Sequence, residues 1–137
     1  MAGAGLLASL MGASPVASLQ VTVDSLRSTK GELRVCLTAD PRNFPACVDD
    51  ARAVTRTVPA AERGLRFEGL PPGHYAVAVI HDANGNAKLD TFMGIPKEGF
   101  GFSRNPAIGF GPPKFTAAAF DLGAEGSVQP VKMRYLL

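Results

Sequence analysis

Oxygen-bearing side chains recur at short intervals over residues 82–90 of the chain. Clusters of carboxylate and amide oxygens bind hard cations such as Ca²⁺, and alternation lets successive side chains turn toward one ion. An EF-hand is excluded, because Ala87 replaces its invariant glycine and Met93 replaces its bidentate glutamate. With two carboxylates in the loop, the expected dissociation constant is roughly 10⁻⁴ to 10⁻³ M. The candidate ligands are Asp82, Asn84, Asn86, the backbone carbonyl of Lys88, Asp90 and, from the same connection, Glu98.

The same stretch also fits a turn that binds no ion. In this alternative Asn84-Gly85 supplies the positive φ of a tight turn, and the Asp82 carboxylate accepts hydrogen bonds from nearby backbone amides. Calcium is therefore a possible cofactor, and the spacing leaves both interpretations open.

No catalytic constellation is apparent in the sequence. His81 and Asp82 are neighbours on a predicted strand, so their side chains point to opposite faces and cannot easily form an acid–base pair. Ser103 lacks the glycine-rich elbow of a hydrolase nucleophile. The glycines between residues 94 and 111 lie in a proline-broken stretch without a following helix, which argues against a phosphate loop. We expect a non-catalytic protein.

Phenylalanines and other large apolar residues, which could bind an apolar ligand, are concentrated in the interval from Ala83 to Lys114 and just beyond it. Loops of this length are usually functional or disordered, and disorder would expose too much apolar surface. One interpretation is a satellite core beneath the loop, which caps one end or edge of the fold. The other is an aromatic-lined groove for an apolar or peptide ligand, with the surface Phe100, Phe102, Phe110 and Phe115 and with His81 near its rim.

The sequence predicts that the segments around these residues form short β-strands. Apolar and polar residues alternate, and turns rich in glycine and proline separate the runs. The run from His74 to Ile80 is apolar on both faces and is expected to be central. We predict an all-β fold, an antiparallel β-sandwich of about seven strands with one long irregular loop. The predicted strands are Leu19–Asp24, Glu32–Thr38, Ala53–Val58, Leu65–Glu68, His74–Ile80, Phe115–Leu122 and Ser127–Leu136.

The first eighteen residues carry no charge and end in the small residues Val16-Ala17-Ser18. This composition predicts an export signal cleaved before Leu19, although the basic start of such a signal is missing, and a flexible leader is the alternative. The apolar stretch is too short and too rich in glycine for a membrane span. Residues 19–137 then form a single domain, located in the periplasm or outside the cell.

The charge of the chain limits the classes of partner, and its cysteines predict a disulfide. The net charge is +2 and the basic residues are scattered, so nucleic acid is an unexpected partner, which leaves an unknown protein, peptide or small molecule. Cys36 and Cys47 are the only cysteines, and in an exported chain an even count predicts one disulfide. A metal pair or a redox pair lacks the expected spacing and neighbouring histidines.

Five motifs lie at residues 31–37, Phe44-Pro45-x-Cys47, residues 67–77, residues 81–90 and residues 94–103. Together they resemble the bacterial family called domain of unknown function 2141, over nearly the whole of residues 19–137. Members of that family are exported and have no assigned activity, which implies a location rather than a reaction. The segment Leu70-Pro71-Pro72-Gly73-His74-Tyr75 is also similar to prealbumin-like sandwiches, including carboxypeptidase regulatory domains and collagen-adhesin B-type repeats, and implies a non-catalytic module.

Two functional hypotheses follow from the sequence. The first is an exported, disulfide-closed, non-catalytic binding or structural module whose long loop is ordered by calcium. The second is a small periplasmic enzyme or hydrophobic-ligand carrier that uses the Phe-rich loop over residues 92–115, with His81 as the only tempting base.

Overall fold

Several strands of this protein alternate buried and exposed residues. The structure is a computed structural model, and it describes residues 15–47, 53–85, 91–92, 95–109 and 111–137. Within these residues the strands are β1 (Ala17–Asp24), β2 (Glu32–Thr38), β3 (Val54–Pro59), β4 (Gly64–Leu70), β5 (Gly73–Asp82), β6 (Thr91–Phe92), β7 (Ile95–Pro96), β8 (Gly99–Phe102), β9 (Phe120–Leu122) and β10 (Ser127–Lys132). One turn of helix, α1, covers Phe115–Ala118, and 3₁₀ turns cover Pro41–Asn43 and Ala60–Glu62.

Eight of the described strands form two sheets. The three-stranded sheet has the order β10-β1-β4, and the five-stranded sheet has the order β3-β2-β5-β8 with β9 also paired to β5. The pairs are antiparallel except β1 with β10, which run parallel, and β6 pairs only with β7 in a separate two-stranded ribbon. The predicted all-β sandwich is confirmed.

The main core lies between the two sheets. Strand β1 contributes every second side chain, Leu19, Val21 and Val23, as its alternating sequence predicts. Strand β5 is buried over most of its length and has neighbours on both sides, as expected for a run that is apolar on both faces. Its odd-numbered residues Val77 and Val79 join the main core, while Ala76 and Ala78 join a second cluster on the outer face of the five-stranded sheet.

Some elements differ from the sequence prediction. The interval Ala83–Lys114, expected to be irregular, contains β8, whose pairing with β5 is imposed by tertiary contacts rather than by its glycine-rich sequence. Residues 115–122, expected to be one strand, divide into α1 and β9, because consecutive alanines favour a helical turn, which the Ala119 N–H closes on the Phe115 carbonyl at 2.8 Å. The parallel pairing of β10 arises because the chain crosses from the five-stranded sheet to the other one before β10.

Cys36 and Cys47 form the predicted disulfide, with their Cα atoms 5.7 Å apart. In the described part of the chain, no helix is long and apolar enough to cross a membrane. The predicted leader lies mostly outside the described residues, and its boundary at Ser18 falls inside β1, where Ala17 is 4% exposed and Ser18 hydrogen-bonds Glu68.

Candidate functional site

Strand β8 has its large apolar side chains on the outer face of the sheet and glycines on the core face. Its sequence alternates glycine and phenylalanine, and its register against β5 places Gly99 opposite His81 and Gly101 opposite Val79, on the side of the main core. There is no space for larger residues at these two positions. A Cβ on Gly101 would lie 2.6 Å from Val131 Cγ1, and one on Gly99 would lie 2.6 Å from the Tyr135 ring carbon Cζ. The glycines thus let the C-terminal segment pack closely, and the phenylalanines take the outer face.

Phe100 and Phe102 therefore form part of an apolar floor outside the sandwich. Phe100 pairs with Ile80 and Phe102 with Ala78, so four apolar side chains lie together on one face of neighbouring strands. Above them is a groove of about 640 Å³, whose other lining residues include Ile108, Pro112 and Leu136. This volume is within the range of small-ligand pockets, and the lining named here offers no charged side chain.

One wall of the groove is the segment held by the disulfide. Cys36 lies on the outer face of β2, and its bond to Cys47 fixes the segment that contains Pro45 and Ala46, both of which line the groove. Phe44 packs edge-on against Phe102, with ring centroids 5.8 Å apart, and against Phe115 at 6.0 Å. Phe115 therefore supports this wall, whereas Phe100 and Phe102 line the groove itself.

The opposite wall is the C-terminal segment. Arg134 exchanges two backbone hydrogen bonds with Phe100, at 3.0 and 2.8 Å, so the chain after β10 adds itself to the edge of β8. The Arg27 guanidinium lies 4.3 Å from the Tyr135 ring centroid and donates hydrogen bonds to the carbonyls of Leu137 and Lys97. These contacts fix the position of Leu136 at the groove.

Ser103 and His81 have structural partners. Ser103 is fully buried, and its hydroxyl accepts from the Val77 N–H at 2.9 Å and donates to the Ala118 carbonyl at 2.6 Å, which ties α1 to β5. His81 is 1% exposed on the core side of β5 and is not among the residues that line the groove.

The hydrogen bonds of His81 define its tautomer. Nε2 lies 2.7 Å from the Lys30 carbonyl oxygen, which can only accept, so this nitrogen carries the proton. Nδ1 lies 2.8 Å from the Tyr135 hydroxyl and in the neutral ring accepts from it, and the same hydroxyl accepts the Arg27 backbone N–H at 3.3 Å. Both ring nitrogens are thus used to join three segments of the chain.

Part of the candidate calcium site is described. Asp82 is completely buried at the end of β5, and its backbone carbonyl accepts the Gly85 N–H at 3.3 Å in a turn where Gly85 has φ of 67° and Asn84 is exposed. Glu98 is 5% exposed and directly precedes Gly99, the first residue of β8 and the register partner of His81. Asn86, Lys88 and Asp90 lie outside the described residues, as does Phe110 of the predicted ligand surface. Within the described set, no group of three or more His, Cys, Asp or Glu residues could hold a metal.

A second depression, of about 300 Å³, lies against the three-stranded sheet and differs in character. Polar residues, including Ser18, Gln20 and Arg66, line it. The hydrogen bond from Ser18 and then the bond from Arg66 lower the pKa of the neighbouring Glu68. This is a solvated polar face whose groups pair with one another, in contrast to the apolar groove.

Several groove residues were not among the predicted ligand surface. Ala78 and Ile80 belong to the run predicted to be apolar on both faces, and Pro45 and Ala46 lie in the motif Phe44-Pro45-x-Cys47, for which the sequence suggests no ligand contact. The alternation Gly99-Phe100-Gly101-Phe102 was the available signal, because a period of two places both phenylalanines on one face.

Comparison with known proteins agrees with the resemblance seen in the sequence motifs. No curated protein matches the chain, and no solved structure matches it. The model of a family described as an uncharacterized protein conserved in bacteria (DUF2141) matches residues 21–129, most of the chain, and the chain therefore belongs to this family.

Proposed function

We propose that this protein is an exported, non-catalytic binding module that takes a small apolar ligand in the groove on the outer face of its five-stranded sheet. The observation that carries the proposal is the arrangement of β8, in which Phe100 and Phe102 lie outside the sandwich and the glycines lie inside. An outward strand face normally carries polar residues. Here it forms the floor of an apolar groove of about 640 Å³.

Further features support the same proposal. The disulfide favours an oxidising compartment, the periplasm or the medium, and with it the export signal predicted for residues 1–18. The Leu70-Pro71-Pro72-Gly73 turn connects the two sheets, and the Tyr75 hydroxyl pins it by donating to the Pro71 carbonyl at 2.6 Å, which supports a prealbumin-like sandwich. The partners found for His81 and Ser103 support a non-catalytic role.

A fluorescence titration tests the groove. The neutral probe N-phenyl-1-naphthylamine brightens in apolar surroundings, and we expect saturable binding to the oxidised protein. Gly109 lines the groove, and a Cβ added there meets nothing within 4 Å, so the backbone leaves room for the start of a larger side chain and Gly109→Leu adds apolar bulk at the groove. We expect this variant to bind the probe at least about tenfold more weakly, a loss equal to about 1.4 kcal/mol.

The matched control is Gly73→Leu. Gly73 is exposed and away from the groove, and its added Cβ makes only an ordinary contact of 3.7 Å with Tyr75. Affinity within about twofold of the parent protein is expected for this control. Equal probe binding by the parent protein and Gly109→Leu would refute the assignment of the ligand to the groove.

We propose in addition that calcium orders the connection between β5 and β8. The observation in favour is that Asp82 and Glu98, the two described carboxylate candidates, are both buried and lie at the two ends of this connection. Ca²⁺ bound only to the native state stabilises it in proportion to the logarithm of its excess over the dissociation constant, and for the expected dissociation constant this is about 0.4 to 1.4 kcal/mol at 1 mM calcium. The melting temperature should rise in millimolar calcium relative to chelator.

The variant that tests this site is Asp82→Asn combined with Asp90→Asn. We expect it to lose the difference in melting temperature between calcium and chelator. Asp121→Asn, in which an exposed aspartate on β9 is neutralised, is the control and should retain the difference. A calcium effect of unchanged size in the double variant would show that the ion binds elsewhere.

A further inference from the structure

The groove floor belongs to a cross-strand row that ends in two arginines. Register places Arg34 of β2 opposite Ile80, Ile80 opposite Phe100, and Phe100 opposite Arg134 of the C-terminal segment. Residues directly opposite each other in antiparallel pairs share a face, so all four side chains lie on the outer face. Three strand spacings separate the two arginines, roughly 14 Å between their Cα atoms.

Neither arginine side chain is engaged by the rest of the described protein. Both are half-buried, and neither forms an ion pair or a side-chain hydrogen bond with any described residue. A guanidinium presents five donors in a fixed fork that matches a carboxylate. A half-buried, unengaged arginine next to an apolar floor is therefore suited to a ligand with an anionic end.

Arg134 is better placed than Arg34. It lies between two groove-lining residues, Phe100 across the strand pair and Leu136 two positions along the chain, and its backbone is fixed by the two hydrogen bonds to Phe100. The residue two positions before Arg34 is the anion Glu32, whereas the residue two positions before Arg134 is Lys132, whose register partner on β1 is Asp24.

The acidic groups near the row do not offset this charge at the groove. Asp82 is completely buried and Glu98 is 5% exposed, so neither carboxylate faces the open groove. Glu32 is exposed on β2, on the far side of β5 from Arg134. Among the described residues, none of these carboxylates therefore faces Arg134 from the groove, and Arg134 forms no ion pair.

We propose that the ligand of this groove is an amphipathic anion, a free long-chain carboxylate, whose head is bound by Arg134 and whose hydrocarbon chain lies over Phe100 and Ile80. This inference rests on the groove proposed above and adds the charge of the ligand. Arg134 is then a specificity-determining residue, because it distinguishes a carboxylate from a neutral molecule of the same length.

Competition between matched ligands tests the inference. Decanoate and decanol differ only in the head group, and both are titrated against bound N-phenyl-1-naphthylamine at pH 8 and low ionic strength. Decanoate is kept below its micelle concentration and decanol below its solubility limit. We expect decanoate to bind about fivefold more tightly than decanol, the upper end for a solvent-exposed ion pair. The preference should shrink in 0.5 M salt.

Arg134→Gln should bind both ligands with the affinity that decanol has for the parent protein. Arg34→Gln is the matched control on the same face, and it should retain the preference for decanoate. The assignment is overturned if Arg134→Gln keeps the preference, if Arg34→Gln alone loses it, or if the parent protein binds both ligands equally. Failure of both ligands to displace the probe would instead refute the apolar groove itself.

Discussion

Removal of the disulfide should weaken both the fold and the groove. The bond between Cys36 and Cys47 closes a ring of about 12 residues, for which the chain-entropy model gives about 3 kcal/mol of stabilisation. The same ring carries Pro45 and Ala46, which line the groove. In the Cys36→Ala/Cys47→Ala variant we therefore expect the free energy of unfolding to fall by about 3 kcal/mol, or the melting temperature by roughly 10 °C.

The ligand affinity of this variant should fall as well, because Phe44 would no longer be tethered against Phe102 and Phe115. Urea unfolding measures the first effect, and titration with N-phenyl-1-naphthylamine under folding conditions measures the second. Treating the parent protein with dithiothreitol, which reduces the disulfide to two thiols, should reproduce both effects without a substitution. A stability loss below about 1 kcal/mol together with unchanged probe affinity would refute the reasoning that the disulfide holds the groove wall.

Three further predictions concern stability. Gly101→Ala should lower the free energy of unfolding by about 1–3 kcal/mol in a urea titration, because its Cβ would lie 2.6 Å from Val131 Cγ1; an unchanged midpoint would contradict the tight packing of β8. Tyr135→Phe should cost about 1–3 kcal/mol, because it removes the donor to the buried Nδ1 of His81, and a neutral effect would contradict the hydrogen-bond assignment. Burial raises the pKa of Tyr75, so as pH rises the unfolded chain loses the phenolic proton before the folded protein does. The free energy of unfolding should therefore fall as pH rises above about 10. Thermal melts of Tyr75→Phe should show a smaller alkaline loss, and an identical loss would assign it to other groups.

The strands with regular alternation could be predicted from the sequence. Leu19, Val21 and Val23 fix the face of β1, and the doubly apolar run in β5 indicates its interior position. The pairing of the cysteines also followed from their number and the expected compartment. In these cases the local pattern and the tertiary structure impose the same arrangement.

Strand β8 could not be predicted because its inward positions are glycines. Glycine has low strand propensity and carries no apolar signal, although here the absence of a side chain is what allows Val131 and Tyr135 to pack against the strand. The groove shared the same difficulty, since its floor needs the register between β5 and β8. The hydrogen-bond partner of His81 could not be predicted either, because Tyr135 lies 54 residues away and no local pattern reveals the pairing.

Methyl NMR is the most direct test of the claim that an apolar ligand binds in the groove. The oxidised protein is labelled at the Ile, Leu and Val methyl groups and titrated with decanol. Ile80, Ile108 and Leu136 line the groove and should shift together along one saturable curve. Val128, which is 62% exposed on the three-stranded sheet, serves as the internal reference and should not move. Shifts at Val128 equal to those in the groove, or no saturable shift at the groove methyls, would contradict the claim.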